Sequence, residues 1–265
     1  LLFALTGFML MLTLSQWFKK NLVAAFIAAL VFIAHPIHTE VVANIKSVDE
    51  ILSFLFCISS AWFFYRHLEK NNPSSLLWST VCYTIALFSK ESSITFSVIF
   101  PLIAWFFYPQ KEKATFGICL RKSMWLALPA LFFLLIRYNV LKDVPYGSVS
   151  VADNLLMAAK SGADRFATAV LILGMYLKLL FYPDPLLFDA SYNQIPVVTI
   201  SNWKFIVSFI IYAGLLTIAL IQFKKRNILS FALLLFLVSL SIYANIFRII
   251  GSSYGERFLY TPSLG

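Results

Sequence analysis

Apolar runs of membrane-span length, separated by short gaps that hold most of the charge, limit what this chain can become. Asn21–Ala34, Ile51–Phe64, Ile94–Phe107 and Phe231–Phe247 are apolar almost throughout. A helix satisfies the backbone of such a segment internally, and about 20 apolar residues cross the hydrocarbon core, with tilt and thinner cores stretching the range. A soluble all-helical core would need a charged face on each helix. With 60% hydrophobic and only 12% charged residues, the chain has no material for those faces. The expected fold class is all-α, a polytopic membrane protein.

The formal charge of +9 is concentrated in short connections: Lys19 and Lys20, Arg66 and Lys70, Lys111 to Lys122, and Lys224 to Arg226. Basic residues recurring at every second connection mark a cytoplasmic side and suit anionic membrane lipids. Nucleic acid is excluded as a partner, because no polar domain carries a basic stripe or a binding motif. Cys57, Cys82 and Cys119 lack metal-ligand spacing, and the first two lie inside apolar runs. The chain opens inside an apolar run and closes on Thr261-Pro262-Ser263-Leu264-Gly265, so it is expected to be an internal stretch of a longer protein.

Alternation of sides predicts spans near 1–17, 21–34, 50–65, 76–89, 93–108, 123–137, 203–222 and 229–247. Residues 35–49 and 138–164 are expected to be outer loops. Residues 165–182 carry Arg165 and Lys178 within an apolar stretch, and crossing there would put Lys224-Lys225-Arg226 on the wrong side. That segment is expected to lie at the outer interface or to dip in and return.

This topology gathers His35, His38, Glu40, Lys46, Asp49, Glu50, Lys90, Glu91, Arg137, Asp189, Arg248, Glu256 and Arg257 on the outer face. Ions near a hydrocarbon boundary are costly unless they are paired or serve a site. His35 and His38 lack the helical spacing and third ligand of a zinc motif, so a turn is expected there and no metal site is assigned. Glu40 and Glu91 suit proton transfer, or equally pairing with Lys46 and Lys90. Lys90, Arg137, Arg248 and Arg257 suit a phosphate group, or equally helix-end pairing and snorkelling. The segment Phe188–Pro196, with Asp189, Tyr192 and Asn193, suits contact with an acceptor or sugar, or serves as a stiff loop.

Four ordered blocks carry a resemblance. His35-Pro36-Ile37-His38-Thr39-Glu40 with Lys46 and Asp49 is the first, and Ser89-Lys90-Glu91-Ser92-Ser93 the second. Asp153-Asn154 through Asp164-Arg165 and on to Ser191-Tyr192-Asn193-Gln194-Ile195-Pro196 is the third, and Gly255-Glu256-Arg257-Phe258 to Gly265 the fourth. Together they resemble the transmembrane and tetratricopeptide-repeat (TMTC-like) protein O-mannosyltransferases of the GT-C superfamily, which has bacterial relatives. Thr261 stands where that pattern has Leu.

The resemblance implies residues 1–265 are a partial GT-C-like helical bundle, with the first N-terminal helices and loop and any C-terminal tetratricopeptide-repeat (TPR) domain outside it. It implies transfer of a sugar, mannose above all, from a polyprenyl-phosphate carrier to Ser/Thr hydroxyls of secreted or membrane proteins, alongside the protein-export machinery. The reaction would face the periplasm or the lumen, in a bacterial inner membrane or an endoplasmic reticulum. The catalytic base is implied to lie upstream of Leu1, with His38, Glu40 and Glu91 contributing to the cavity. Lys90, Arg257 and Arg248 would bind the lipid phosphate, and Asp189, Tyr192 and Asn193 would touch acceptor or sugar. Some GT-C enzymes use a divalent metal and others do not. A noncatalytic membrane scaffold or chaperone, or a GT-C transferase with another sugar or a glycan or lipid acceptor, is the competing reading.

Overall fold

The computed structural model describes residues 1–110, 112, 114–143, 149–151, 153–187, 190 and 194–265. Those residues form eleven α-helices joined by turns and short 3₁₀ segments. In chain order they are α1 (Leu2–Trp17), α2 (Leu22–Ala34), α3 (Thr39–Ala43), α4 (Val48–Lys70), α5 (Pro73–Ser89) and α6 (Phe96–Phe107). Then follow α7 (Phe116–Ser123), α8 (Ala127–Leu141), α9 (Gly162–Phe181), α10 (Trp203–Phe223) and α11 (Ile228–Ser241). Among the described residues, three helical stretches are long and apolar enough to cross a membrane: Ile45–Lys70, Phe116–Leu141 and Trp203–Phe223. A fourth joins them if Leu22–Ala34 and Pro36–Ala43, broken at His35, count as one span. The chain is a multi-pass membrane protein.

The ends of the helices follow from local chemistry. Asn21, Asn72, Thr115, Ser161 and Asn202 each accept a backbone N–H of the first turn and so begin α2, α5, α7, α9 and α10. α4 runs on to Lys70, five residues beyond the sequence expectation, and stops where Asn71 adopts a left-handed conformation. The expected span 123–137 extends in both directions, because Thr115 already caps a helix inside the basic connection and α7 leads into α8. α11 ends at Ser241, six residues before the expected limit. Downstream, Asn245 takes a positive φ of 55° and its side chain accepts the Ile250 N–H at 2.9 Å, a fold-back that draws the chain away from the helix axis.

The chain divides into two compact units, residues 1–35, 41–145 and 226–231 in the first and 36–40, 146–225 and 232–265 in the second. In the first, α4 is the central helix, with Cys57, Ile58, Ala61 and Phe64 fully buried. Small polar residues let its neighbours approach closely. Ser60 Oγ donates to the Ser79 carbonyl at 2.8 Å and Ser79 Oγ returns a bond to the Ser60 carbonyl at 2.9 Å, stitching α4 to α5. The packing also sorts the connections by charge. Lys122 bonds the Asn71 side chain at 2.6 Å and Trp17 stacks on Phe107 at 4.9 Å, which gathers the basic connections at the C-terminal end of α4. Asp49 and Glu50 lie at its other end, with Lys90.

In the second unit α9, the segment expected at the interface, is the packed centre. Ala167 through Leu173 are buried in succession, and the Tyr212 hydroxyl of α10 donates to the Leu173 carbonyl at 2.8 Å. α10 shows the opposite character: only 6% of its apolar stretch is buried, against 61% for the stretch containing α4. An apolar helix left this bare is a lipid-facing one. α9 and α10 touch at Gly174, where a Cβ would collide with the Ser208 side chain. Gly174→Val is expected to destabilise the detergent-solubilised protein by about 1–3 kcal/mol or more through overpacking. Gly214→Ala, facing open space on α10, should leave the melting temperature unchanged in the same thermal scan.

Candidate functional site

The first unit holds a cluster built on the N-terminal turn of α4. Asp49 and Glu50 open that helix, where its dipole favours carboxylates, and Asp49 Oδ1 accepts the Glu50 N–H at 2.8 Å. Lys90 ends α5 in extended conformation and reaches across to both acids, 3.0 Å from Asp49 Oδ2 and 2.7 Å from Glu50 Oε1. Glu50 is buried and Lys90 is half-buried, so the pair works at low dielectric. Ser93 Oγ gives its proton to the Ala86 carbonyl, which leaves Ser53 as the donor in their 2.6 Å contact beneath the cluster. Glu91 pairs with Arg137 at 2.6 Å, in a more open setting.

The second unit holds the other cluster. Glu40 is nearly buried and is held twice by one residue: the Arg257 N–H donates to Oε2 and the guanidinium to Oε1, both at 2.8 Å. His38 is buried beside it, edge-on to Tyr260, with Nε2 3.0 Å from Ser263 Oγ. Because that hydroxyl gives its one proton to the Tyr260 carbonyl, Nε2 is the donor of the pair. The Tyr176 hydroxyl of α9 accepts the Gly255 N–H at 3.1 Å, and the Tyr176 ring stacks on Tyr254, which fixes the strand of chain that presents Arg257.

Glu256 is the residue that sequence reasoning left without a role. It is 2% exposed, and among the described residues its Oε1 has no hydrogen-bond partner. Burial pushes its carboxyl up to about 7, the donated Leu187 N–H works against that, and the negative Glu40 adds to the rise.

Of the expected site residues, Glu40, His38 and Arg257 come together in the second unit. In the first, Lys90 lies with Asp49 and Glu50, and Glu91 with Arg137. Arg248 is exposed in the irregular segment after α11. Asp189, Tyr192 and Asn193 lie outside the described residues. Among the described residues no group of three or more His, Cys, Asp or Glu side chains is arranged to hold a metal ion. Cys57, Cys82 and Cys119 are buried free thiols.

These features define the class: an all-α, multi-pass membrane protein with polar clusters of paired carboxylates and cations. Its sequence is similar at low identity to curated protein O-mannosyl-transferases. It is 28% identical over 218 residues to human Protein O-mannosyl-transferase TMTC2, covering 77% of this chain and 26% of that protein. Human TMTC4 is 26% identical over 275 residues, covering 91% of this chain and 37% of its own, and human TMTC1 is 28% identical over 300 aligned residues, covering 100% and 34%. The chain therefore spans about a quarter to a third of the length of these relatives. No family model matches the chain, and no solved structure does either.

Two outcomes follow from the second cluster. Arg257→Ala should cost about 3 kcal/mol or more, since it leaves the Glu40 carboxylate buried without its charge partner, whereas Glu40→Gln with Arg257→Gln should cost less. Thermal unfolding of the two variants and the unaltered protein in one detergent checks this. For Glu256, a folded value above the ordinary carboxylate range means that its protonated form stabilises the fold below about pH 4.5, and that this contribution is lost as pH rises through about 7. Glu256→Gln should flatten the fall in melting temperature between pH 5 and 8.

Proposed function

We propose that this chain is part of a GT-C-type glycosyltransferase that moves a sugar, in the first instance mannose, from a polyprenyl-phosphate carrier to Ser/Thr hydroxyls of exported proteins. The observation that carries the reading is the match to human Protein O-mannosyl-transferase TMTC1, which runs through the whole of this chain and hence through both ion-pair clusters. In this proposal the loops expected on the outer side look to the periplasm or lumen and the basic connections to the cytoplasm, as the charge pattern favours. α9 then stays on the outer side without crossing, with its middle packed inside the second unit.

Inverting transfer needs a carboxylate to take the acceptor proton and cations to hold the departing phosphate. Lys90, Arg257 and Arg248 are assigned to the phosphate, with His38, Glu40 and Glu91 shaping the cavity. Asp189, Tyr192 and Asn193 are assigned to acceptor or sugar, and the proton acceptor to a part of the whole protein preceding this chain. An apolar cleft of about 430 Å³ in the second unit, walled by Phe166, Val170, Phe209, Tyr212 and Leu240, suits the carrier's isoprenoid tail.

One observation favours a second reading, a membrane scaffold that keeps the fold without transfer. Lys90 and Arg257 are each already matched by carboxylates, and a phosphate would have to compete with Asp49, Glu50 and Glu40. Full-length protein with radiolabelled polyprenyl-phosphate mannose and a Ser/Thr-rich acceptor separates the two. Label on an acceptor hydroxyl is expected, with transfer reduced at least tenfold by Lys90→Ala and by Arg257→Ala, a rise of about 1.4 kcal/mol or more in the barrier. An intact donor with folded protein supports the scaffold.

A further inference from the structure

The first unit has a second polar concavity, at the C-terminal end of α4 and so a full helix length from Lys90. It is a cavity of about 950 Å³ into which α1, α4 and the segment after α6 each bring polar residues. Among the described residues its cations are Lys19, Lys20, Arg66 and Lys70, and against these stand Glu69 and Glu112. Lys19 and Lys20 turn the chain between α1 and α2 with positive φ of 54° and 68°. Arg66 is held over the Trp62 ring at 4.6 Å. Trp17, Tyr65, Phe107 and Tyr108 form aromatic walls, of the kind found where a span meets the headgroup layer.

Two residues that line this cavity carry a buried polar atom. Trp17 is 6% exposed, wedged between Phe107 and Phe231, and among the described residues its indole N–H donates to nothing. The buried Oε1 of the preceding residue, Gln16, accepts from nothing among the described residues either. An orphan donor and an orphan acceptor at the foot of a cationic cavity are costly unless a ligand answers both. A phosphodiester carrying a hydroxyl suits this lining: with a small turn of the two side chains a phosphate oxygen could accept from Trp17 and the hydroxyl could donate to Gln16, while the lysines and arginine balance the charge.

We propose that this cavity binds the headgroup of an anionic, hydroxyl-bearing phospholipid of the surrounding membrane. The lipid source is favoured over a soluble phosphate because the cavity sits at the ends of apolar helices, where an acyl chain can follow the protein surface. The assignment does not rest on the glycosyl-transfer reading.

Native mass spectrometry of the full-length protein in neutral detergent tests it, using phosphatidylglycerol, phosphatidylcholine and glycerol 3-phosphate as probes. One phosphatidylglycerol should be retained about tenfold more tightly than phosphatidylcholine. Arg66→Gln with Lys70→Gln should abolish the preference, and Trp17→Phe, which keeps the packing but loses the donor, should weaken retention several-fold. Glu69→Gln should tighten it, a gain that misfolding cannot imitate. Equal retention of the two lipids, or a preference that survives Arg66→Gln with Lys70→Gln, would overturn the site. Displacement of phosphatidylglycerol by an equal concentration of glycerol 3-phosphate would overturn the lipid as its source.

Discussion

Within hydrocarbon, an apolar side chain gains little by exchanging lipid for protein, so helices here are held by close approach and by a few hydrogen bonds. The reciprocal bonds between Ser60 and Ser79 and the fit of Gly174 against Ser208 are instances. Each depends on a small side chain that lets two backbones meet. The same constraint explains why large apolar residues are spread over the outside of α10 while Ser53, Ser59, Ser60 and Ala61 are buried on α4 among its larger apolar side chains. In such a molecule, bulk at a contact is more damaging than polarity.

Paired charges follow from the same scarcity of water. Glu40 and Glu50 are buried carboxylates, and each has a cation with a bond shorter than 3 Å. The two solutions differ. Lys90 offers a compact charge shared by two acids, whereas Arg257 grips one acid with both its main chain and its side chain. The first arrangement can exchange partners without moving the backbone, while the second ties the acid to the position of a turn. Glu256, next to that grip and without a paired cation among the described residues, is where the surrounding field acts on protonation.

The membrane class and most helices were legible because hydropathy and N-cap residues are local signals: Asn21, Asn72 and Asn202 begin helices close to the expected boundaries. The end of α11 was not, since it depends on Asn245 bonding to Ile250 and to Asn154, 91 residues away. The polar residues of the candidate site were identifiable by type and by their place near span boundaries. Their partners were not: Lys46 and Lys90 were the cations in sequence reach of Glu40 and Glu91, yet Glu40 pairs with Arg257 and Glu91 with Arg137. The central place of α9 was equally hidden, because a charge near each end of a helix says nothing of how much of its middle is packed.

The Glu40–Arg257 pair joins positions 217 residues apart. A ribosome makes Glu40 long before Arg257, and during that interval the carboxylate cannot enter an apolar setting without a large solvation cost. The early helices must therefore wait with this acid in water while the rest of the chain is threaded into the bilayer. The grip of Arg257 on Glu40 is thus a late event in biogenesis, and a chain truncated between them would insert its first spans yet leave Glu40 without the guanidinium that matches it.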